Sequence, residues 1–195
     1  MTQVQRRTLG MHPNLLMDVI QRQAGSISKA LLEAVMNSID AGAGVCEITL
    51  EAERFAVVDD VRGFQSQTEI DAHFETFGTP HQEGDATYGR FRMGRGQLMA
   101  FGRNRWTSNV FRMDVYIKVD GLDYHLTVAP ENEAIAGCRI EVELYEPMLP
   151  SDLQRTQREL RDMVAFAQIP VVLNGTTISK PPHEQTWDHT DANAY

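Results

Sequence analysis

Between Phe111 and Val128 every second residue is apolar. Phe111, Met113, Val115, Ile117 and Val119 alternate with Arg112, Asp114, Tyr116 and Lys118. Leu122, Tyr124, Leu126 and Val128 repeat the pattern after Asp120-Gly121. A period of two puts one set of side chains on one face of a strand. An Asp-Gly pair between two such runs predicts a hairpin. A hairpin of this kind has one face to bury, so the chain needs a second layer to cover it.

The rest of the sequence supplies more strands and the cover. Cys46, Ile48 and Leu50 alternate, as do Ile140, Val142 and Leu144. Phe55 to Val58 is a continuous apolar strand that runs straight into Asp59-Asp60. Pro170 to Leu173, an Asn174-Gly175 turn and a short strand to Ser179 close the pattern. Helices are expected after Pro13, with Leu15, Leu16, Val19 and Ile20 on the apolar face, and from Ser28 to Ala41, with Leu31, Leu32, Val35 and Ile39. Gly42 and Gly44 end the second of these. Ser66 and Glu69 form a capping-box pattern before Ile70, Phe74 and Phe77. Another helix opens around Gly96 with Leu98, Met99 and Phe101, and Ser151 is placed to cap a long helix carrying Leu153, Leu160, Val164 and Ala167. Residues 78–96, rich in glycine and arginine, read as a long loop of the kind that forms lids and binding loops. Helices first and antiparallel strands later make this an α+β chain, a sheet with helices on one face. The polar stretch 181–195 is expected to leave the domain.

A chain of 195 residues suits one large domain with its own core. Cys46 and Cys138 match no metal-ligand spacing and no disulfide framework, which points to a reducing cytoplasm. No apolar run reaches the roughly 20 residues of a membrane span, and the opening MTQVQRRTLG has no apolar stretch of a secretory signal. The net charge of −9 argues against nucleic-acid binding by the surface as a whole. Arg90, Arg92, Arg95, Arg103, Arg105 and Arg112 nevertheless crowd one segment, either as scattered surface charges or with some of them facing phosphate.

Three stretches carry chemistry. At roughly 100° per residue, Glu33, Asn37 and Asp40 fall within roughly 60° of one another on the Ser28–Ala41 helix, away from the apolar stripe. By spacing alone, this edge is equally a solvated helix face. In Val57-Val58-Asp59-Asp60-Val61-Arg62-Gly63 a buried strand delivers a carboxylate to a loop, a sequence that also suits a plain turn. Gly89-Arg90-Phe91-Arg92-Met93-Gly94-Arg95-Gly96 opens a helix, where backbone N–H groups converge on phosphate.

Together, Glu33-x-x-x-Asn37-x-x-Asp40-Ala41-Gly42, Asp59 to Gly63 and the glycine-rich segment resemble, in order and spacing, the motifs of GHKL ATPases (gyrase, heat-shock chaperone, histidine kinase, MutL). The resemblance covers about residues 12–180. It implies the Bergerat fold, a two-layer α/β sandwich whose mixed, mostly antiparallel sheet carries helices on one face. Residues 1–180 would form the ATP-binding domain and residues 78–96 its lid. It further implies ATP and Mg²⁺ as cofactors, with Asn37 on the metal, Glu33 as general base, and Asp40 supporting the pocket. Asp59 would accept from the adenine amino group, with Gly63 as the second glycine of the loop. Gly94, Arg95 and Gly96 would meet the phosphates, and Arg92 or Arg95 would neutralise them. Gly137-Cys138 stands where the family often has Gly-Thr, which puts Cys138 near adenine or, by cysteine's usual habit, simply in a buried strand. Val61 occupies the position of the first loop glycine. A β-branched residue is costly at positive φ, so a different loop path is expected there.

The intact Glu33 favours ATP hydrolysis, with lid closure driving an ATP-dependent homodimer or a conformational change. A lysine from a following domain often completes the site in relatives, so turnover is expected to be slow and further domains or partner proteins are anticipated. Val61 and Cys138 favour the alternative, a non-hydrolysing nucleotide-binding regulatory module. Phosphotransfer to histidine ranks last, because none of the six histidines sits in a dimerisation helix upstream of Asn37.

Overall fold

The computed structural model describes residues 24–75 and 94–186, together with 15, 18–20 and 22. The elements are α1 (Ile27–Asp40), β1 (Cys46–Leu50), β2 (Arg54–Asp59), α2 (Gln67–Ile70, continued by a π-helical turn at Asp71–Glu75), α3 (Gly94–Phe101), β3 (Gly102–Asn109), β4 (Phe111–Val115), α4 (Ile117–Asp120), β5 (Tyr124–Val128), β6 (Ile135–Leu144), α5 (Pro150–Val164), β7 (Val171–Leu173) and β8 (Thr176–Thr177). The strands form one sheet in the order β5-β4-β3-β6-β2-β1-β7-β8. Only the β1–β7 pair is parallel, so the sheet is mixed and mostly antiparallel, as expected.

The registers line up the inward side chains in rows across the sheet. One row runs Leu173, Ile48, Val57, Ile140, Trp106 and Met113, and the next runs Leu50, Phe55, Val142, Asn104 and Val115. These residues are buried. They meet Leu31, Ala34 and Val35 of α1, Leu98 and Met99 of α3, and Leu160 and Val164 of α5 in one core. Helix α1 packs against both α3 and α5, so the helical layer covers one face of the sheet. The other face is open and charged. Arg105 and Arg112 both pair with Asp114 there (2.8 and 3.2 Å), and Arg54 pairs with Glu51 at 2.8 Å. Arg103, Arg105 and Arg112 therefore belong to the open face, where exposed ion pairs each contribute at most about 1 kcal/mol.

Several expectations are corrected. Strand β4 stops at Val115 instead of running to Val119, and Asp120-Gly121 closes the helical turn α4 instead of a two-residue hairpin. Beyond Asn104↔Val115 the neighbouring β3 has only Arg103 and the tightly packed Gly102, so nothing is left to pair with Val119. Ile117 still reaches the core while Val119 is 73% exposed. Strands β4 and β5 do pair antiparallel, as expected, but with Val115 opposite Tyr124, two residues off the register that a two-residue turn at Asp120-Gly121 would give. Strand β3 was not foreseen, because three of its four inward positions, Gly102, Asn104 and Ser108, are small or polar, and Trp106 alone gives no hydrophobic alternation. Gly102 is required for close approach: a Cβ there would run into the Glu143 carbonyl. The buried Asn104 amide nitrogen donates to the Leu98 and Gly102 carbonyls at 3.2 and 2.9 Å.

Helix α5 begins two residues earlier than expected. Leu149 is its N-cap, without a side-chain bond, and Pro150 takes the first turn, so Ser151 is not the cap. Helix α3 begins at Gly94, so residues 94–96 are helical and not loop. Residues 76–93, which hold most of the expected lid, and Leu16 lie outside the described residues. Leu15 is 50% exposed, and Ile20 enters the core in its place. The Ser66 cap is present, its hydroxyl accepting from Glu69 N at 3.3 Å. Asn174 and Gly175 both have positive φ (48° and 79°), the conformation of a tight primed turn.

Candidate functional site

The site starts from α1. Ser26 caps its N-terminus by accepting from Lys29 N, and Ser28 ties it to α5 through Glu159 at 2.6 Å. With Leu31, Ala34 and Val35 turned into the core, Glu33, Asn37 and Asp40 are left on one edge. Asn37 is exposed, and Glu33 and Asp40 are half-buried. Partial burial, and then the nearby Asp40 charge, raise the pKa of Glu33 above the ordinary glutamate value. The helix ends at Asp40, and the chain turns away through Gly42 at φ +83°.

The outermost row across the sheet differs from the apolar rows. It runs Val171, Cys46, Asp59, Cys138, Ser108 and Phe111, so a carboxylate lies between two cysteines and a serine on the helix-covered face. Asp59 ends β2 and is held from three sides. Ser38, on the buried side of α1, donates to its Oδ2 at 2.6 Å. The backbone N–H groups of Cys138 and Val61 donate to its Oδ1 at 3.1 and 3.4 Å. Burial raises the Asp59 pKa above the ordinary aspartate value, against the pull of these hydrogen bonds. The Cys46 and Cys138 thiols are pushed up to about 12, chiefly by burial, so both are neutral near pH 7.

The adjacent Asp60 does a different job. Its Oδ1 accepts from Gly44 N at 2.7 Å and Val45 N at 3.2 Å, which fixes the turn between α1 and β1. Those bonds hold its carboxyl below the usual aspartate range. The period of two thus sends one aspartate of the pair toward the helical layer and the other to a structural cap.

The loop after β2 passes close to β3 and β6. Gly63 has φ +71°, and a Cβ there would meet Ser108 Oγ and, at 3.0 Å, the Gly137 carbonyl. Ser108 Oγ accepts from Phe64 N at 2.9 Å. Among the described residues only Asn109 and Asn174 combine a side chain with positive φ. Val61 is not one of them, so the loop takes a path that a β-branched residue tolerates. Gly137 has φ +80°, and its α-carbon packs so closely on Asp59 that a Cβ would collide with the Asp59 carbonyl oxygen.

Residues 25–135 match the family model for histidine kinase-, DNA gyrase B- and HSP90-like ATPases. The chain belongs to this family. The match covers just over half of the sequence, from the start of α1 to the start of β6. A search of curated proteins finds no match to the chain. The two-layer sandwich described above is typical of GHKL domains.

In this GHKL domain the expected site residues fall into three groups. Asp59, Gly63 and Cys138 come together at the end of β2. Glu33, Asn37 and Asp40 share the α1 edge, which Ser38 links to Asp59. Gly94, Arg95 and Gly96 form the first turn of α3, where Arg95 is 7% exposed, and Arg92 lies outside the described residues. It is the backbone N–H of Cys138, not its thiol, that meets Asp59. Sequence reasoning gave no role to Ser38 or Asp60, and named Gly137 only as the glycine before Cys138, without its close packing on Asp59. The available signal for Ser38 was a hydroxyl on the apolar side of an amphipathic helix, a residue that has to find a buried partner.

Proposed function

We propose that this GHKL domain binds ATP with Mg²⁺ and hydrolyses it slowly. The observation that carries the reading is the Asp59 carboxylate at the end of β2. It is half-buried and held in place by Ser38 and the Cys138 N–H, beneath a helix whose edge presents Glu33, Asn37 and Asp40. A carboxylate in such a place is suited to accept from the exocyclic amino group of adenine. Among the described residues no group of three His, Cys, Asp or Glu is arranged for a metal. That fits Mg²⁺, which keeps several waters and takes few protein oxygens, here the exposed Asn37 amide oxygen. When bound, Mg²⁺ would neutralise charge on the phosphate oxygens.

Glu33, its pKa raised by burial and by Asp40, is suited to accept the proton of a water that attacks the γ-phosphorus, with ADP as leaving group. Asp40 supports this edge of the pocket. Gly63 keeps the loop after β2 close to the sheet, and Cys138 presents its N–H. Gly94, Arg95, Gly96 and Arg92 are assigned to the phosphates on their sequence. In the same reading, residues 1–180 form the domain, residues 78–96 act as a lid whose closure drives homodimerisation or a conformational change, and residues 181–195 form a tail. The setting is cytoplasmic, and no described helix is long and apolar enough to cross a membrane.

Calorimetry of ATP and ADP with and without Mg²⁺, on the wild type, Asp59→Asn and Asn37→Ala, tests the site. Mg²⁺-dependent ATP binding by the wild type, lost in both variants, is expected. No binding by the wild type would refute it. The alternative of a non-hydrolysing regulatory module rests on Cys138 standing in place of a hydroxyl. Glu33→Ala separates the two readings: it should abolish turnover and spare ATP binding if the domain is an ATPase.

A further inference from the structure

Ser38 has one hydroxyl hydrogen and two oxygen acceptors in reach, the Asp59 Oδ2 at 2.6 Å and the Ala34 carbonyl at 3.1 Å, with the Cys46 thiol as a further, weaker neighbour. Both oxygen contacts are separate two-centre bonds when Asp59 carries a proton and donates it to Ser38 Oγ, while Ser38 donates back along the helix to Ala34. With Asp59 ionised, Ser38 turns its hydrogen to the carboxylate and the Ala34 contact is given up. The geometry therefore accommodates two proton arrangements at one set of heavy-atom positions. A charge-assisted O–H···O⁻ bond is short, and 2.6 Å suits either arrangement.

We propose that Ser38 is a positioning residue for nucleotide recognition: its hydroxyl sets whether Asp59 is a donor or a full acceptor, and adenine binding draws a proton off Asp59 into solvent. This rests on the assignment of Asp59 to the adenine amino group. An amino group donates, and a carboxylate accepts more strongly than a neutral carboxyl does. Binding therefore selects the ionised form, Ser38 swings its hydrogen from Ala34 to Oδ2, and the carboxyl proton leaves to water.

Of the groups around Asp59, its own carboxyl is the one that loses its proton above the ordinary aspartate range but before the neighbouring thiols. Cys46 on β1 and Cys138 on β6 flank it, and both thiols stay protonated, with pKa values pushed up to about 12. Asp60 on β2 is held ionised by Gly44 and Val45 and adds a charge that opposes ionisation of Asp59. Helix α1 presents Ser38, which is neutral. Burial raises the Asp59 pKa, so its proton is lost above the ordinary aspartate range.

The test follows the Asp59 carboxyl by carbon NMR across pH in the free wild type, Ser38→Ala and Ser38→Thr, and measures ADP binding in paired buffers of different ionisation enthalpy. Comparison with the variants at the same pH cancels the nucleotide's own protons. Ser38→Ala removes the donor that stabilises the carboxylate. Its Asp59 midpoint should move upward, ADP affinity near pH 7 should fall roughly tenfold, the effect expected of one hydrogen bond to a charged group, and the proton count on binding should rise. Ser38→Thr keeps a hydroxyl and should restore all three. An Asp59 midpoint unmoved in Ser38→Ala overturns the proposal, as does a proton count on binding equal in wild type and Ser38→Ala. If the midpoint moves as expected but the wild type binds no adenine nucleotide, the nucleotide reading falls and the hold of Ser38 on Asp59 stands.

Discussion

Two glycines with nearly the same backbone conformation allow packing to be separated from strain. Gly137 has φ +80° and Gly42 has φ +83°. Placing alanine at either position costs about 1–2 kcal/mol, because an L side chain is strained in this region. At Gly42 nothing lies within 4 Å of the added Cβ, so strain is the whole effect. At Gly137 the Cβ would collide with the Asp59 carbonyl oxygen, a backbone atom that a side-chain rotation does not clear. Strand β6 would have to lift from the end of β2, and the Cys138 N–H would leave Asp59. Overpacking of this kind adds about 1–3 kcal/mol, and a lost bond to a carboxylate adds about 1.5–3 kcal/mol. Gly137→Ala should thus cost about 3.5–8 kcal/mol against about 1–2 for Gly42→Ala. For a domain near this size about 1 kcal/mol lowers Tm by about 2–4 °C. Gly42→Ala should melt a few degrees below wild type, and Gly137→Ala at least about 7 °C below it, both read by far-UV circular dichroism and urea titration. Equal losses in the two variants would refute the close seating of β6 on Asp59.

Glu33→Gln should stabilise the fold at neutral pH by about 0.5–2 kcal/mol. Because the folded pKa of Glu33 is raised, its favourable contribution is present below the unfolded pKa and is lost as pH rises through the folded one. The gain should therefore be visible in thermal melts at pH 8 and shrink toward pH 4. Asp60 is the opposite case: its folded pKa is lowered, so its contribution is present above the unfolded pKa and lost as pH falls through the folded value. Asp60→Asn should lower Tm at pH 7 and converge with wild type in acid. Asn174 accepts from Leu50 N at 2.8 Å and donates to Leu50 O at 3.0 Å, continuing the sheet with its side chain. Asn174→Ala should cost about 1–3 kcal/mol in urea denaturation, and faster amide exchange at Leu50 would show that this pairing is the cause.

The legible parts of the fold were those where burial and apolarity coincide. Helix α1, strands β1, β2 and β6 and the β7–β8 turn are all written as apolar periodicity with glycine or asparagine punctuation. Strand β3 was illegible because the sheet gives three of its four inward places to Gly102, Asn104 and Ser108, whose roles are close approach and hydrogen bonding, and leaves Trp106 as a single apolar residue without a pattern. The length of β4 was overread because Ile117 and Val119 continue an alternation that the neighbouring strand does not extend far enough to use. At the site, the α1 edge and Asp59 were visible as residue choices. The division of labour between Asp59 and Asp60 was not, because it depends on which N–H groups the turn at Gly44 and Val45 brings to Asp60. Ser38 looked like an ordinary helix residue until its partner on β2 was known.

The adjacent aspartates also bear on what insertions and deletions the chain can absorb. A single-residue deletion between Glu51 and Val58 would slide β2 by one place against both neighbours. That would put Asp60 in the place of Asp59 and Asp59 in the outward place of Val58, put Ala56 and Val58 where Phe55 and Val57 now face the helices, and leave the Gly44 and Val45 N–H groups without a carboxylate. The connection 116–123 makes no comparable demand, since a helical turn already takes up its extra length. Lineages carrying this domain should therefore vary freely in the span between β4 and β5 while keeping the residue count of β2 unchanged, a pattern that homologous sequences can be read for directly.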